Sequence, residues 1–125
     1  IVIKVALTSQ ALKILRPALG GSVGTIKREI TNGVSALYQS VNSRLFIVVR
    51  PEGQQLVVVA VAGSGLYQSR QEIINFARFH QFTSIRFHTK HPERLTRALN
   101  GLAFSLVETR QSLFGRDELI YVMGL

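Results

Sequence analysis

Two nearly unbroken apolar segments in the middle of the chain constrain the fold most strongly. RLFIVVR (44–50) and QLVVVAVA (55–62) are rich in β-branched residues, and PEGQ (51–54) between them has the composition of a hairpin turn. Strands that are apolar without alternation are usually covered on both faces. The sequence therefore predicts a central sheet with helices on both sides.

Periodicity and turn residues place the remaining elements around this pair. Strands are predicted at 1–7, 34–41, 83–89, 104–113 and 118–125, and helices at 10–19, 25–33, from Gly65 to about His80, and at 91–102. Pro17 is expected to end or kink the first helix close to Arg16. Gly20, Gly21 and Gly24 are expected to form a flexible joint, and Asn42-Ser43 a tight turn. The result is one mixed α/β (α+β) domain over residues 1–125.

The composition indicates which classes of binding partner the protein is expected to have. The net charge is +8, with eleven Arg and four Lys, which favours polyanions such as nucleic acid or an anionic cofactor. The charges are scattered rather than grouped in blocks, which favours a solvated basic surface over a binding surface. There is no Cys, which excludes disulfides and thiolate sites and fits a cytoplasmic protein. The apolar runs are too short to span a membrane, so no membrane partner is expected.

A glycine turn joins the second apolar strand to the helix that follows it. A helix N-terminus has N–H groups without intrahelical partners, and its dipole favours an anion. The residues predicted to form a phosphate cradle are Ala62, Gly63, Ser64, Gly65, Leu66 and Tyr67, with Arg70 one turn into the helix. The alternative is a plain connection whose glycines allow close packing, and the sequence leaves both open.

The element order resembles the GNAT superfamily of N-acetyltransferases over nearly the whole chain. The similarity rests on the strand leading through Gly63-x-Gly65 into a helix, on SIRFHT followed by HPERLTRALNGLAF, and on the closing strand ELIYVMGL. The resemblance implies a GNAT-like fold in which the fourth and fifth strands splay apart. Acetyl-CoA would lie between them, with its pyrophosphate on the glycine turn.

Three positions depart from the family pattern. Ala60 stands where the family's Gln/Arg-x-x-Gly-x-Gly/Ala motif begins, and Ala103 replaces the glycine of a glycine-phenylalanine pair that keeps Phe104. Leu99 falls near the tyrosine that often protonates the leaving thiolate. These departures suggest that fold and activity need not go together.

The resemblance also suggests candidates for catalysis. Glu108 is predicted as the general base for an acceptor amine, and His88 as an acid–base group near the end of the fifth strand. Tyr121 would replace the missing tyrosine if its strand end turns inward. Tyr38 is expected to face the acceptor and to stack on it. Alternatively, His88 is only a half-exposed residue of its strand and Glu108 only a solvent-facing one, with no part in catalysis.

Histidines and basic residues cluster in the second half of the chain. His80, His88 and His91 fit no compact metal-binding motif, so no metal is expected. The densest basic region is Arg86, Lys90, His91, Arg94 and Arg97. The resemblance places it near the 3′-phosphate of CoA, whereas charge alone also allows a nucleic-acid surface.

Three hypotheses remain from the sequence. The first is an acyl-CoA-dependent N-acetyltransferase acting on an unknown amine. The second is an inactive GNAT-fold binding or structural protein, similar to some encoded by phages and prophages. The third is a basic α+β nucleic-acid-binding module. Association of copies through the C-terminal strand pair, giving a homo-oligomer, is also open.

Overall fold

A computed structural model describes residues 2–41 and 43–125, and within them the predicted order of strands and helices is confirmed. The elements are β1 (Val2–Lys4), α1 (Ser9–Leu19), α2 (Val23–Thr31), β2 (Ala36–Ser40), β3 (Leu45–Glu52), β4 (Gln55–Gly63), α3 (Leu66–Phe79), β5 (Ser84–Thr89), α4 (Pro92–Ala98), β6 (Ser105–Arg110) and β7 (Glu118–Gly124). The start of the predicted first strand at Ile1 and the Asn42 half of the predicted turn lie outside these residues.

The seven strands form one mixed sheet with the order β1-β2-β3-β4-β5-β7-β6. β4 and β5 are parallel, and the other neighbours are antiparallel. One face, the α1 face, carries α1 and α2; its core includes Ala11, Leu15, Leu19, Ile26, Leu37, Val48 and Ala60. The other, the α3 face, carries α3 and α4; its core includes Leu45, Ile47, Ile73, Ala77, Ile85, Phe87, Leu95 and Leu99. Helices therefore cover both faces, as predicted.

The first helix does not end at its proline. α1 runs through Pro17 to Leu19, and the N–H of Gly20 closes its last turn on the carbonyl of Arg16. Proline removes one helical hydrogen bond, but Leu15 and Leu19 on either side of it are buried in the core. Burial of a leucine side chain contributes about 1.5–3 kcal/mol, which offsets that loss.

The glycine-rich segment and the last helix also differ from expectation. Residues 20–22 form a 3-10 turn that leads directly into α2, and Gly24 lies inside that helix rather than in a joint. α4 is shorter than predicted, because it ends at Ala98 and the chain turns through Gly101, which has a φ of +88°. Only glycine adopts that angle without strain.

A β-bulge in β4 determines where the sheet opens. Val48 pairs with Ala60 and Val49 pairs with Val58, so Val59 is an extra residue in β4. β4 pairs with β5 only from Gln55 to Val58. Bulges bend a strand and increase its twist. β4 therefore loses its parallel neighbour at the bulge, and the strands separate toward their carboxyl ends.

Candidate functional site

The separation of β4 and β5 creates the candidate site. On one side lies β4 after its bulge, residues 59–63, which has no ladder partner in β5. On the other side lie His88 and Thr89, the last residues of β5. The N-terminus of α3 follows β4 after only Ser64 and Gly65. The free strand edge and the helix end therefore border the same opening.

Close packing accounts for both glycines of the turn. Gly63 has a φ of +104°, and a Cβ there would lie 1.9 Å from the carbonyl oxygen of Arg44. Gly65 has a φ of +99°, and a Cβ there would lie 2.6 Å from Cβ of Ser43. The N–H of Ser64 also donates to the Arg44 carbonyl over 3.4 Å. The two glycines therefore allow close packing of the turn, as the alternative interpretation predicted, and the Ser64 N–H is already hydrogen-bonded within the protein.

The first turn of α3 still presents three backbone donors. Gly65 is the N-cap residue and supplies no side-chain cap, and the first turn contains no acidic residue. The first intrahelical bond runs from the N–H of Ser69 to the carbonyl of Gly65, over 2.9 Å. The N–H groups of Leu66, Tyr67 and Gln68 precede that bond, and none of them has a partner among the described residues. Such a helix end attracts an anion.

A chain of buried hydroxyl groups holds this helix end in place. The Oγ atoms of Ser43 and Ser69 are 3.0 Å apart, Ser69 donates to Ser40 over 3.1 Å, and Ser40 donates to a carboxylate oxygen of Glu72 over 2.8 Å. Ser40 and Ser69 are each 1% exposed. The chain joins α3 to the end of β2 and to the turn before β3. Each of these hydrogen bonds joins residues 26 to 32 positions apart in sequence, so the chain has no local signal.

Arg70 is bound to the end of α4. Its Nη1 atom donates to the carbonyl of Ala98 over 3.3 Å and to the carbonyl of Asn100. Its guanidinium group also stacks on the ring of Tyr67, 4.4 Å from the ring centre. A cation at the last carbonyls of a helix is favourable. Arg70 thus joins α3 to α4, while its charge stays one turn from the three open donors.

His88 is held between a cation and a carboxylate on the α1 face. Arg86 Nε donates to His88 Nε2 over 2.9 Å, and His88 Nδ1 lies 3.2 Å from Oε1 of Glu118. A guanidinium group can only donate, so Nε2 accepts and Nδ1 carries the proton. The contact with Glu118 has no local signal in the sequence, because the two residues are 30 positions apart. In this arrangement neither ring nitrogen is free to take a substrate proton.

Glu108 lies on the exposed edge strand β6. Its side chain is 51% exposed and accepts from Arg110 Nε over 2.7 Å. That hydrogen bond lowers the pKa of Glu108. A lower pKa makes a carboxylate a weaker base. Ile120 lies between Glu108 and His88 in the sheet, and Arg110 also approaches Glu118 to within 3.6 Å. Glu108 and His88 therefore share the α1 face and are linked through charged groups.

Tyr121 lies on the opposite face of the sheet. It sits in the middle of β7, not at a strand end that turns inward, and its ring packs edge-on against Phe104 at 5.6 Å. The residue is 8% exposed. The Tyr121 hydroxyl forms no hydrogen bond with any described residue. Because no described residue has a fully buried polar side-chain atom without a partner, this hydroxyl must be in contact with solvent. The structure therefore does not bring Tyr121 together with His88 and Glu108.

The basic region of the sequence is divided between two faces. Arg86 lies on the α1 face and pairs with Glu52 over 2.9 Å. Arg94 and Arg97 belong to α4, on the α3 face. His91 lies 3.8 Å from Glu93 and 3.2 Å from Arg116. In space there is no single surface that combines Arg86 with the α4 cations.

Residues 2–41 and 43–125 contain no group of three or more His, Cys, Asp or Glu side chains placed to hold a metal ion. They also contain no helix long and apolar enough to cross a membrane. Tyr38, which was expected to face an acceptor, is partly exposed on the α3 face, with its ring 4.7 Å from that of Phe76.

No protein-family model matches the sequence, and no curated protein matches it. Solved structures do match the whole fold. A Bacillus subtilis acetyltransferase in complex with CoA superimposes with a TM-score of 0.73 at 14% identity, covering 99% of this chain and 97% of its own. The ribosomal-protein-S18-alanine N-acetyltransferase from Escherichia coli gives 0.67 at 14% identity, over 99% and 94% of the two chains. Ribosomal-protein-alanine N-acetyltransferase from Brucella melitensis gives 0.58 at 12% identity, over 100% and 99%.

These matches identify the fold. The chain has the GNAT fold over its full length, as the resemblance in sequence implied, with a mixed seven-stranded sheet between two helical layers. The identities are low, so the matches concern the architecture of the chain alone.

Proposed function

We propose that this protein binds acyl-CoA, with acetyl-CoA as the donor, and transfers the acetyl group to an amine acceptor. One observation carries the proposal: β4 leaves β5 at the Val59 bulge, directly beside a helix end with three open N–H donors. A strand edge and an anion-binding helix end at one opening suit a ligand with an extended amide-containing arm and a pyrophosphate.

The pyrophosphate would bind to the start of α3. The donors available are the N–H groups of Leu66, Tyr67 and Gln68, and the absence of an acidic residue in that turn leaves the helix dipole uncompensated. Gly63 and Gly65 carry no side chains that would block the approach. The charge of Arg70, held against Tyr67, adds to the positive potential without requiring direct contact.

The thioester would lie along the free edge of β4. Residues 60–62 follow the bulge at Val59, so their backbone groups that face away from β3 are available to a ligand. A backbone N–H directed at the thioester oxygen would stabilise the negative charge that develops there when an amine attacks. No side chain is needed for that step, so the replacement at Ala60 does not prevent it.

The acceptor proton would leave through the α1 face, where Glu108 and His88 are connected by Arg110 and Glu118. For His88 to accept a proton at Nε2, Arg86 must first release it. Glu108 needs no such change, because its carboxylate is exposed. The acceptor class is restricted only to amines.

An inactive GNAT-fold binding protein is the second candidate function, and a specific observation favours it. Leu99 stands near the position of the expected tyrosine and is 1% exposed, within the core under α4. It cannot donate a proton to a leaving thiolate. A protein of this kind would bind acyl-CoA and fail to transfer the acyl group.

A thermal-shift titration with acetyl-CoA tests binding first, with CoA and ATP as controls. A ligand at ~100 times its dissociation constant adds about 2.7 kcal/mol to the stability of the folded state. We expect acetyl-CoA and CoA to raise the melting temperature more than ATP does. An equal shift with all three would mean that the helix end is only a general anion site. Release of free thiol in the presence of amines would then separate the transferase from the inactive protein.

A further inference from the structure

We propose that the protein has a second ligand site, for a small aromatic carboxylate, in a groove beneath the C-terminal end of α3. The groove has a volume of about 310 Å³ and lies on the α3 face. Ring-bearing side chains form much of its wall: Tyr38, Phe76, His80 and Phe82. The proposal goes beyond acyl transfer, because this groove is separate from the opening between β4 and β5.

The walls of the groove are suited to a flat apolar ligand. The rings of Tyr38 and Phe76 meet edge-on at 4.7 Å, and the His80 ring lies 4.4 Å from that of Phe76 at a tilt of 51°. Val49 and Leu56 add aliphatic surface from the sheet. Aromatic pairs in offset or edge-on geometry contribute about 0.5–1.5 kcal/mol beyond their burial. A ligand of one or two aromatic rings would extend this existing arrangement of rings.

Two polar groups on the wall of the groove have hydrogen-bonding capacity that no described residue satisfies. The hydroxyl of Tyr38 and the imidazole of His80 form no hydrogen bond with any residue that the structure describes. Small-molecule sites are mostly apolar and use a few such groups to orient the ligand. Here both groups come from residues that also line the groove, so a ligand that enters it can meet them.

The charge around the groove favours an anion. Lys4 is directly opposite Tyr38 in the pairing of β1 with β2, so the two side chains lie on the same face of the sheet. Lys4 is exposed and has no ion-pair partner in the described parts of the chain. None of the lining residues that the structure describes is acidic. The nearby Glu29 is occupied by the Ser35 hydroxyl and by Arg50. One cation beside an aromatic groove complements an aromatic ring that bears one carboxylate.

The two sites lie at opposite ends of α3. The glycine turn precedes its first residue, whereas the groove is lined by Phe76 and His80 at its last turn and by Leu56 at the start of β4. A helix of 14 residues is about 20 Å long. Ligands at the two sites should therefore bind without competing.

Indole-3-acetate is a direct probe, because the chain has no Trp and indole emission is not obscured. We expect its fluorescence anisotropy to rise to saturation with added protein, and benzoate to reverse the rise. Uncharged indole should bind at least about threefold more weakly, since it lacks the partner for Lys4. An excess of acetyl-CoA should leave the probe bound.

Two variants and one control locate the probe. Ala36→Phe should fill the groove and weaken binding at least tenfold, and Lys4→Gln should reduce the affinity for indole-3-acetate to that for indole. Phe114→Ala, which removes a 92% exposed ring in the β6–β7 turn, should change nothing. Lys4→Gln changes only a surface side chain, so it stays informative even if Ala36→Phe does not fold. Absence of saturable binding, displacement by acetyl-CoA, or unchanged affinity in Lys4→Gln would overturn the proposal.

Discussion

Arg86 donates from its Nε atom to Nε2 of His88 over 2.9 Å, and this contact determines which nitrogen of the histidine is protonated. Neutral imidazole has one donor and one acceptor nitrogen. With Nε2 accepting from Arg86, the proton lies on Nδ1, where Glu118 Oε1 is 3.2 Å away. The residue predicted to exchange protons with a substrate is thus held in one tautomer by its neighbours.

Replacing Arg86 should change that tautomer. In Arg86→Met, Nε2 loses its donor and becomes free, so we expect the Nε2-protonated form of His88 to grow at the expense of the Nδ1 form. Nitrogen-15 shifts of the imidazole ring, measured above the range in which histidine titrates, report this directly. His80, which makes no contact with Arg86, serves as the internal control. Finding Nε2 already protonated in the unaltered protein would contradict the hydrogen-bond assignment.

Gly63 should tolerate no side chain. In Gly63→Ala the new Cβ would meet the Arg44 carbonyl oxygen at 1.9 Å, and the residue would also have to adopt a φ of +104°. Gly101→Ala is the matched control, since its φ is +88° but nothing lies within 4 Å of its Cβ. The angle alone costs about 1–2 kcal/mol. Urea unfolding should show that loss for Gly101→Ala and a loss larger by about 2 kcal/mol or more for Gly63→Ala. Equal losses would mean that the Arg44 contact relaxes.

Acid should remove the contribution of Glu29 to the stability of the fold. The Ser35 hydroxyl and then Arg50 lower the pKa of Glu29 in the folded protein. A carboxyl group with a lowered folded pKa stabilises the fold above its unfolded pKa, which is about 4.3, and loses that contribution as the pH falls through the folded value. At pH 7 the parent should therefore be more stable than Glu29→Gln, by about 0.2–1 kcal/mol for a pair this accessible. The two unfolding free energies should converge as the pH falls below the unfolded pKa and then through the lowered folded pKa of Glu29, and parallel curves would contradict this origin.

The sequence was enough to place the elements, but not to place the site within them. The segment 56–62 is apolar at every position, so it predicted a buried strand. Because the segment has no alternation of apolar and polar residues, no shift in such an alternation could locate the extra residue at Val59. The strand 118–125 is also apolar at Leu119–Met123, so only the register of the paired strands reveals that Tyr121 lies on the face opposite His88 and Glu108. Contacts such as Ser69 with Ser40, or Arg70 with Ala98, join residues 29 and 28 positions apart. Such contacts produce no periodic pattern in the sequence from which they could be predicted.

Gln68 offers the sharpest test of the proposed pyrophosphate site, because stability and binding should change in opposite directions. Gln68 is exposed in the first turn of α3, which has no acidic residue. In Gln68→Glu the new carboxylate should interact favourably with the helix dipole and stabilise the protein by about 0.3–1 kcal/mol. The same charge should repel a pyrophosphate and weaken CoA binding about tenfold, which corresponds to about 1.4 kcal/mol.

Gln71→Glu is the matched control for this test. Gln71 is also exposed on α3 but lies beyond the first turn, so the same change of charge should affect neither the helix end nor the ligand strongly. Unfolding by urea and titration calorimetry with CoA would be measured for both variants. Weaker CoA binding in the more stable Gln68→Glu protein cannot be attributed to misfolding, so it would assign the anion to the start of α3. Equal weakening in both variants would instead mean that CoA responds only to net charge, and unchanged binding in Gln68→Glu would place its pyrophosphate elsewhere.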